Sequence, residues 1–212
     1  MVANQPNYEE DNLSIDKFTL MANSLVEINT TEELIIRHCS PTLAGMKTGN
    51  LFSCEYCTEE MLKNEIRRLN RILVPKGIRV ILLRYSHNKA MIYVYRPSRL
   101  KIDFTDNQSE ALLEKHGYIC NHPERCINQL ARKLKECTDF PHEIGLFLGY
   151  PPEDVQGFIE NKACNSKCVG HWKVYGDEVQ AKTLFAKYKK CTEIYIEQWL
   201  KGKSVERLTV AV

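Results

Sequence analysis

Hydrophobic positions along this chain follow two patterns. Between residues 78 and 95 they form two short, nearly continuous runs. Ile78 to Tyr85 and Ala90 to Tyr95 are β-branched and aromatic runs joined by Ser86-His87-Asn88-Lys89, which predicts an antiparallel hairpin. Apolar residues occupy both faces of these strands, as in the middle of a sheet that helices cover on at least one side. Upstream the period is helical: Leu62, Ile66, Leu69 and Leu73 share one face of a segment from Thr58 to about Leu73, and Pro75 and Gly77 stop it. Leu51 and Phe52 form a short strand candidate before it. Earlier still, Thr30 or Thr31 caps a helix through about Cys39, with Glu32 and Glu33 in its first turn and Pro41 just past its end.

The second half is predominantly helical. Helical patterns follow Pro97, run from about Asp106 to His116, and span Pro123 to Cys137, where Ile127, Leu130, Leu134 and Cys137 make a stripe. A helix pair occupies Pro141 to Lys162, a strand-like piece covers His171 to Tyr175, and a long helix runs from Asp177 to about Lys201. On that last helix Leu184, Tyr188, Cys191, Tyr195 and Trp199 recur on the inward face. These elements predict an α+β fold: a small mixed sheet with a central antiparallel hairpin, flanked by helices, with a helical C-terminal half. No internal repeat or low-complexity linker divides them, so residues 30 to 212 read as one domain.

Residues 1 to 29 differ from that body. They hold one Lys against five acids and few apolar residues, and they read as a mobile acidic leader; the remainder carries about +6 of the net +2 chain. A chain of 212 residues with 43% hydrophobic content can bury a sizeable core. No run approaches the roughly 18 to 20 apolar residues of a membrane span, and no signal-peptide pattern opens the chain, so a cytoplasmic location is expected. Nine cysteines, an odd number without framework spacing, then read as reduced thiols or ligands.

The densest chemistry lies in Cys164 to His171. Cys164, Cys168 and His171 have a C-x3-C-x2-H spacing that can reach one tetrahedral ion, zinc or iron, with a fourth ligand from elsewhere. Cys191 is the nearest downstream thiol, although its place in an apolar stripe also fits a core residue. Cys54-Glu55-Tyr56-Cys57 is the one C-x2-C, set before a helix N-terminus that favours a thiolate. The pair reads as a dithiol, as part of a shell with Cys168 and His171, or as two ordinary thiols; Glu55, Glu59 and Glu60 oppose thiolate formation.

Three other patterns carry weaker chemistry. Residues 142 to 161 match a helix-turn-helix template, with Gly145 in the first helix, Gly149 at the turn, and Val155 and Phe158 facing inward. Glu143, Glu153, Asp154 and Glu160 against Lys162 argue against a nucleic-acid partner, so a tight packed corner is the simpler reading. The turn Gly45 to Gly49 lacks phosphate-loop spacing, but Lys47 and Arg37 could hold a small anion, or serve an enzyme of unidentified substrate. Lys182, Lys187, Lys189 and Lys190 on the last helix form a solvated face or meet an acidic protein partner.

Longer stretches carry a resemblance. Arg37 to Gly45, Ile92 to Pro97, Phe140 to Pro151, Trp172 to Tyr175 and Ser204 to Thr209 closely resemble, in the same order, a bacterial family of domains of unknown function, number thirty-seven ninety-three. The resemblance covers about Thr31 to the C-terminus. It implies an anaerobic bacterial ancestry and intracellular residence, and no activity, cofactor or catalytic residue. Where this chain has Cys168-Val169-Gly170-His171, members of that family often carry Cys-x2-Cys; Cys to His keeps a ligand and favours a metal over thiol exchange. Cys54 and Cys57 are not part of the family pattern, and the leader is an addition. The expectation is a transition-metal-binding or thiol-redox accessory protein, the alternative a non-catalytic interaction or DNA-binding protein using the corner at 142 to 161.

Overall fold

The computed structural model describes residues 30–56, 58–119, 122–136 and 140–211. The acidic leader, Cys57 and Cys137 lie outside them. Residues 31–211 open with helix α1 (Thr31–Leu43), strand β1 (Gly49–Glu55), helix α2 (Glu59–Leu73), and the hairpin strands β2 (Arg79–Ser86) and β3 (Lys89–Tyr95). Helices α3 (Pro97–Asp103), α4 (Asn107–Lys115), α5 (Pro123–Glu136), α6 (Ile144–Phe147) and α7 (Pro152–Glu160) follow. A two-stranded ribbon, β4 (Cys168–Val169) and β5 (Lys173–Val174), then leads to the long α8 (Glu178–Leu200) and the short α9 (Val205–Leu208). The class is α+β, and the three-stranded sheet, in order β1-β3-β2, is antiparallel throughout.

The central strand explains the two-sided hydrophobic pattern. Successive side chains of a strand point to opposite faces, so Ala90, Ile92 and Val94 enter one core while Tyr93 and Tyr95 enter another. The first core receives the α2 stripe of Leu62, Ile66, Leu69 and Leu73 together with Ile35, Ile36 and Leu43 of α1. The second receives Leu100, Phe104, Leu113, Leu130 and Phe147 from α3 to α6. Each such side chain contributes about 1.5–3 kcal/mol on burial, so both faces of β3 are fixed by helices. At the edge, the Asn70 amide pairs with both backbone groups of Val80, donating to its carbonyl at 2.7 Å and accepting from its N–H at 2.9 Å.

Local chemistry sets the turns. His87 and Asn88 take φ of 49° and 58°, the two left-handed residues that a two-residue hairpin matching strand twist requires. Thr58 caps α2 by accepting from Met61 N, and Asp177 caps α8 by accepting from Gln180 N.

Two elements exceed the pattern-based expectation. Strand β1 extends over seven residues because each pairs with β3, from Gly49 opposite Tyr95 to Glu55 opposite Lys89. Helix α1 continues through Pro41 to Leu43 rather than ending near Cys39. A proline in the last turn removes a single donor, and the carbonyls of Thr42 and Leu43 that end the helix are bound by a side chain from the end of β3 as well as by backbone N–H groups.

That side chain is Arg96, at the end of β3 and wholly buried. Its Nε donates to Thr42 O at 2.7 Å, Nη2 to Leu43 O and Val210 O at 2.7 Å each, and Nη1 to Lys76 O at 3.3 Å. One guanidinium thus joins the end of α1, the turn after α2, β3 and the C-terminal segment. Burial lowers its pKa, yet arginine remains charged. Replacing Arg96 by Ala takes the guanidinium from four carbonyls, of which Thr42 O and Leu43 O keep the N–H groups of Gly45 and Val210, and a loss of about 3 kcal/mol in urea unfolding is expected. Arg96→Lys should recover only part of it; an Ala variant within about 1 kcal/mol of wild type would show that the fork does not close the fold.

Candidate functional site

Residues 140 to 176 fold into a helical corner faced by the short ribbon. The corner is as tight as its glycines predict. A Cβ at Gly145 would lie 2.7 Å from Val155 Cγ2, so α6 and α7 meet only because that atom is missing. Gly149 turns the chain at φ 72° against Thr48. The base of the corner is pinned by Glu143, a buried carboxylate that accepts from Lys133 Nζ at 2.9 Å and from the Tyr118 hydroxyl at 3.0 Å. Burial pushes the Glu143 pKa up, but the Lys133 and Tyr118 contacts outweigh it and hold the carboxyl below its usual range.

Asp154 joins corner to ribbon. Pro151 and Pro152 start α7 and place Asp154 in its first turn, where the helix dipole favours an anion. Asp154 is 3% exposed and forms no ion pair with any described residue. It accepts instead from the Trp172 indole at 2.6 Å and from the backbone N–H groups of Tyr175 and Gly176 at 2.6 and 2.7 Å. Trp172 is thereby held with its ring stacked on Tyr150 at 4.7 Å and edge-on to Phe185 of α8 at 4.5 Å. The ribbon approaches α8 so closely that a Cβ at Gly170 would fall 2.2 Å from the Phe185 ring.

Between corner and ribbon lies a cavity of about 270 Å³ lined by Phe140, His142, Gly145, Tyr150, Phe158, Val169, Trp172 and Lys173, among others. Aromatic faces dominate it. His142 is flanked by Phe158 at 5.0 Å and Phe140 at 5.9 Å. Lys173 lies 6.0 Å from the Phe158 ring and donates to Ala163 O at 2.7 Å, leaving donors of its ammonium for another acceptor. The Asp154 oxygens that reach this wall already hold three donors, so among the described lining residues the Lys173 ammonium is the cationic group with donors left for an incoming acceptor.

Behind Tyr150 sits Lys47, 3% exposed, with its ammonium 5.0 Å from the ring centroid and no ion pair to any described residue. Burial brings its pKa down to about 8, against a smaller opposing effect of Cys39. The His171 imidazole is also lowered, first by burial and then by the Lys47 charge. Beside them Thr48 donates to the Asp103 carboxylate, whose pKa burial raises. The turn 45–49 is therefore packed against protein. Arg37, the other residue considered for an anion, lies on the exposed side of α1 paired with Glu33 at 2.7 Å.

The thiols are dispersed by environment. Cys164 is exposed in the loop after α7, and Cys168 is half-buried in β4 against the Trp172 cluster. His171 turns its ring to Phe185 and Tyr188 at 5.5 and 5.4 Å. Cys54 is half-buried in β1 and Cys191 is buried in α8; burial raises both thiols, Cys191 to about 11, which favours the protonated form. Among the described residues no three His, Cys, Asp or Glu side chains are gathered as a metal site. Ligand sets that include Cys57 rest on a residue outside the described part of the chain.

The sequence does not mark Asp154 as an organising residue, because beside Glu153 and Glu160 it has the pattern of an outward charge of α7. Its position in the first turn of a proline-started helix is a signal for an internal role only once donors are known to face it. The pattern of a family described as "Protein of unknown function (DUF3793)" matches residues 35–209. Neither a curated protein nor a solved structure matches the chain. No helix of the described residues is long and apolar enough to cross a membrane.

Two outcomes follow from these buried charges. The unfolded chain keeps Lys47 protonated up to about 10.5 whereas the fold releases the proton near 8, a difference that costs folding about 3 kcal/mol at pH 7. That cost fades as pH rises from 8 towards 10. Lys47→Met should therefore be more stable than wild type at pH 7, with the gap narrowing by pH 10 in parallel urea titrations; a constant gap would contradict the buried charge. Asp154→Ala leaves the indole and two amides unpaired, and should lower stability by about 3 kcal/mol and shift Trp172 emission to the red.

Proposed function

The chain belongs to the DUF3793 family, and we propose that it is a non-catalytic binding protein whose aromatic cavity takes a small planar ligand bearing an anionic group. The observation that carries this reading is the cavity itself: preformed, aromatic-walled, and closed on one side by a tryptophan that a buried aspartate holds in place. Ligand sites are concave and largely apolar with a few placed polar groups, and about 270 Å³ stands just below their usual range of roughly 300–1,000 Å³. A ring of one or two fused cycles fits between Tyr150, Phe158 and Trp172, with Lys173 and His142 facing its anionic substituent.

The lining argues for binding rather than turnover. Asp154 is satisfied by the protein's own donors, and no cysteine or serine stands among the described lining residues. The helical corner considered for DNA forms one wall of the cavity. Its outer residues Glu153, Gln156 and Glu160 are exposed and on balance acidic, which opposes phosphate contact and favours the small-ligand use.

The test is binding of the anionic dye anilinonaphthalenesulfonate and of its uncharged relative N-phenylnaphthylamine, followed by dye emission. Wild type should bind the anionic dye one to one. Val169→Trp, which fills the cavity mouth from an exposed ribbon position, should weaken it at least tenfold, and Lys173→Met should narrow the preference over the uncharged dye. Equal binding by wild type and Val169→Trp would remove the cavity from the account.

A further inference from the structure

The outer face of α8 carries a second apolar surface, remote in composition from the aromatic cavity. Ala186, Cys191, Ile194 and Tyr195 join Met46 as the floor of an open groove of about 710 Å³, and Lys187 and Lys190 rim it. Its lining residues from Thr183 to Ile194 recur at three- and four-residue intervals along one helix face, a stripe about 17 Å long at 1.5 Å per residue. Three turns of a partner helix have that length. Ile194 remains 44% exposed near its C-terminal end, while the opposite side of α8 packs through Ile196 and Trp199 on the core that holds α1.

The charges on this helix divide in a telling way. Lys182 pairs with Glu178 and Lys201 pairs with Glu197, each four residues away. Lys187 and Lys190, the two that flank the apolar floor, form no ion pair with any described residue, and Glu193 lies outside the groove lining. Met46 does not drift over the floor freely, because its carbonyl accepts from Arg99 at 3.4 Å and from the Tyr188 hydroxyl at 3.5 Å. The Lys190 charge is felt by Glu197 without a close pair, and a fixed apolar channel whose rim ammonium groups are held in no ion pair with a described residue is complementary to an amphipathic helix whose apolar stripe is edged by carboxylates. A second copy of this chain fits poorly, since a two-fold contact would set the same lysines against each other.

We infer that the groove on α8 docks an acidic amphipathic helix of a partner protein, its apolar side on Ile194 and Ala186 and its carboxylates on Lys187 and Lys190. The probe is a fourteen-residue helical peptide with Leu at heptad positions a and d and Glu beside them, compared with the same peptide carrying Lys for Glu. Binding to the full chain is read by fluorescence anisotropy at low and at physiological salt. Wild type should bind the acidic peptide at least tenfold more tightly than the basic one, with the margin shrinking as salt rises. Lys187→Glu with Lys190→Glu should reverse the preference, and Ile194→Asp should remove binding of both while dye binding at the aromatic cavity is retained.

Several results would overturn the assignment. They are equal or absent binding of the two peptides, a wild-type chain that sedimentation shows to be a dimer dissociated by Ile194→Asp, or binding to vesicles containing one quarter phosphatidylglycerol without peptide binding. Reversal in the charge-swapped variant distinguishes a specific site from general stickiness, because both proteins keep the same apolar floor.

Discussion

The Arg96 guanidinium closes this fold through backbone carbonyls, with no ion pair to a described carboxylate. A buried charge taken from water must recover its solvation from fixed dipoles, and Arg96 does so through carbonyls of Thr42, Leu43, Lys76 and Val210. Those four groups come from segments far apart in sequence, so the helix that overruns Pro41, the turn after α2 and the C-terminal segment are placed by one planar fork. Asp154 is the same device with the sign reversed. Its carboxylate draws only on an indole and two amides, and it fixes the ribbon against the corner.

Between these two anchors the sheet acts as a partition. Because β3 is central, its alternate residues serve two cores, and the Tyr93 face carries the helices that end in the corner. The Tyr93 hydroxyl reaches Phe147 O at 2.5 Å, so the last residue of α6 is tied directly to the sheet. From Phe147 the chain has only Leu148 to Pro151 in which to turn before α7 begins. The aromatic cavity is what remains when a rigid corner and a rigid ribbon meet at Asp154 without enough side-chain volume to fill the gap. Lys47 lies beneath the shared Tyr150, and burial brings its pKa down to about 8.

Much of the scaffold was legible in the chain because period and punctuation agree there. The α2 stripe, the hairpin around His87-Asn88, the Gly145 and Gly149 corner and the length of α8 all follow from local residues. The overrun of α1 was not legible, since the group that supports it stands more than fifty residues away. Arg96 itself lies inside a stretch that carries the family resemblance, yet nothing in that stretch says that its partners are carbonyls. The cavity was equally hidden: Phe140, Tyr150, Phe158 and Trp172 are scattered aromatics that look like core until the corner is folded. The thiols drew attention by spacing, and spacing alone does not report that His171 faces aromatic rings and Cys191 a helix-packed interior.

The most direct measurement of the central claim is a proton–nitrogen NMR titration of the full chain with indole-3-acetate, a small planar anion. The indole N–H of Trp172, which donates to Asp154, gives a resolved reporter inside the cavity, and Trp199 on α8 serves as its internal control. Saturable shifts of the Trp172 indole together with the Gly145, Gly170 and Lys173 amides, with Trp199 unmoved, are the predicted result. Shifts spread over the surface, or none at Trp172 while Trp199 responds, would contradict a ligand site between corner and ribbon.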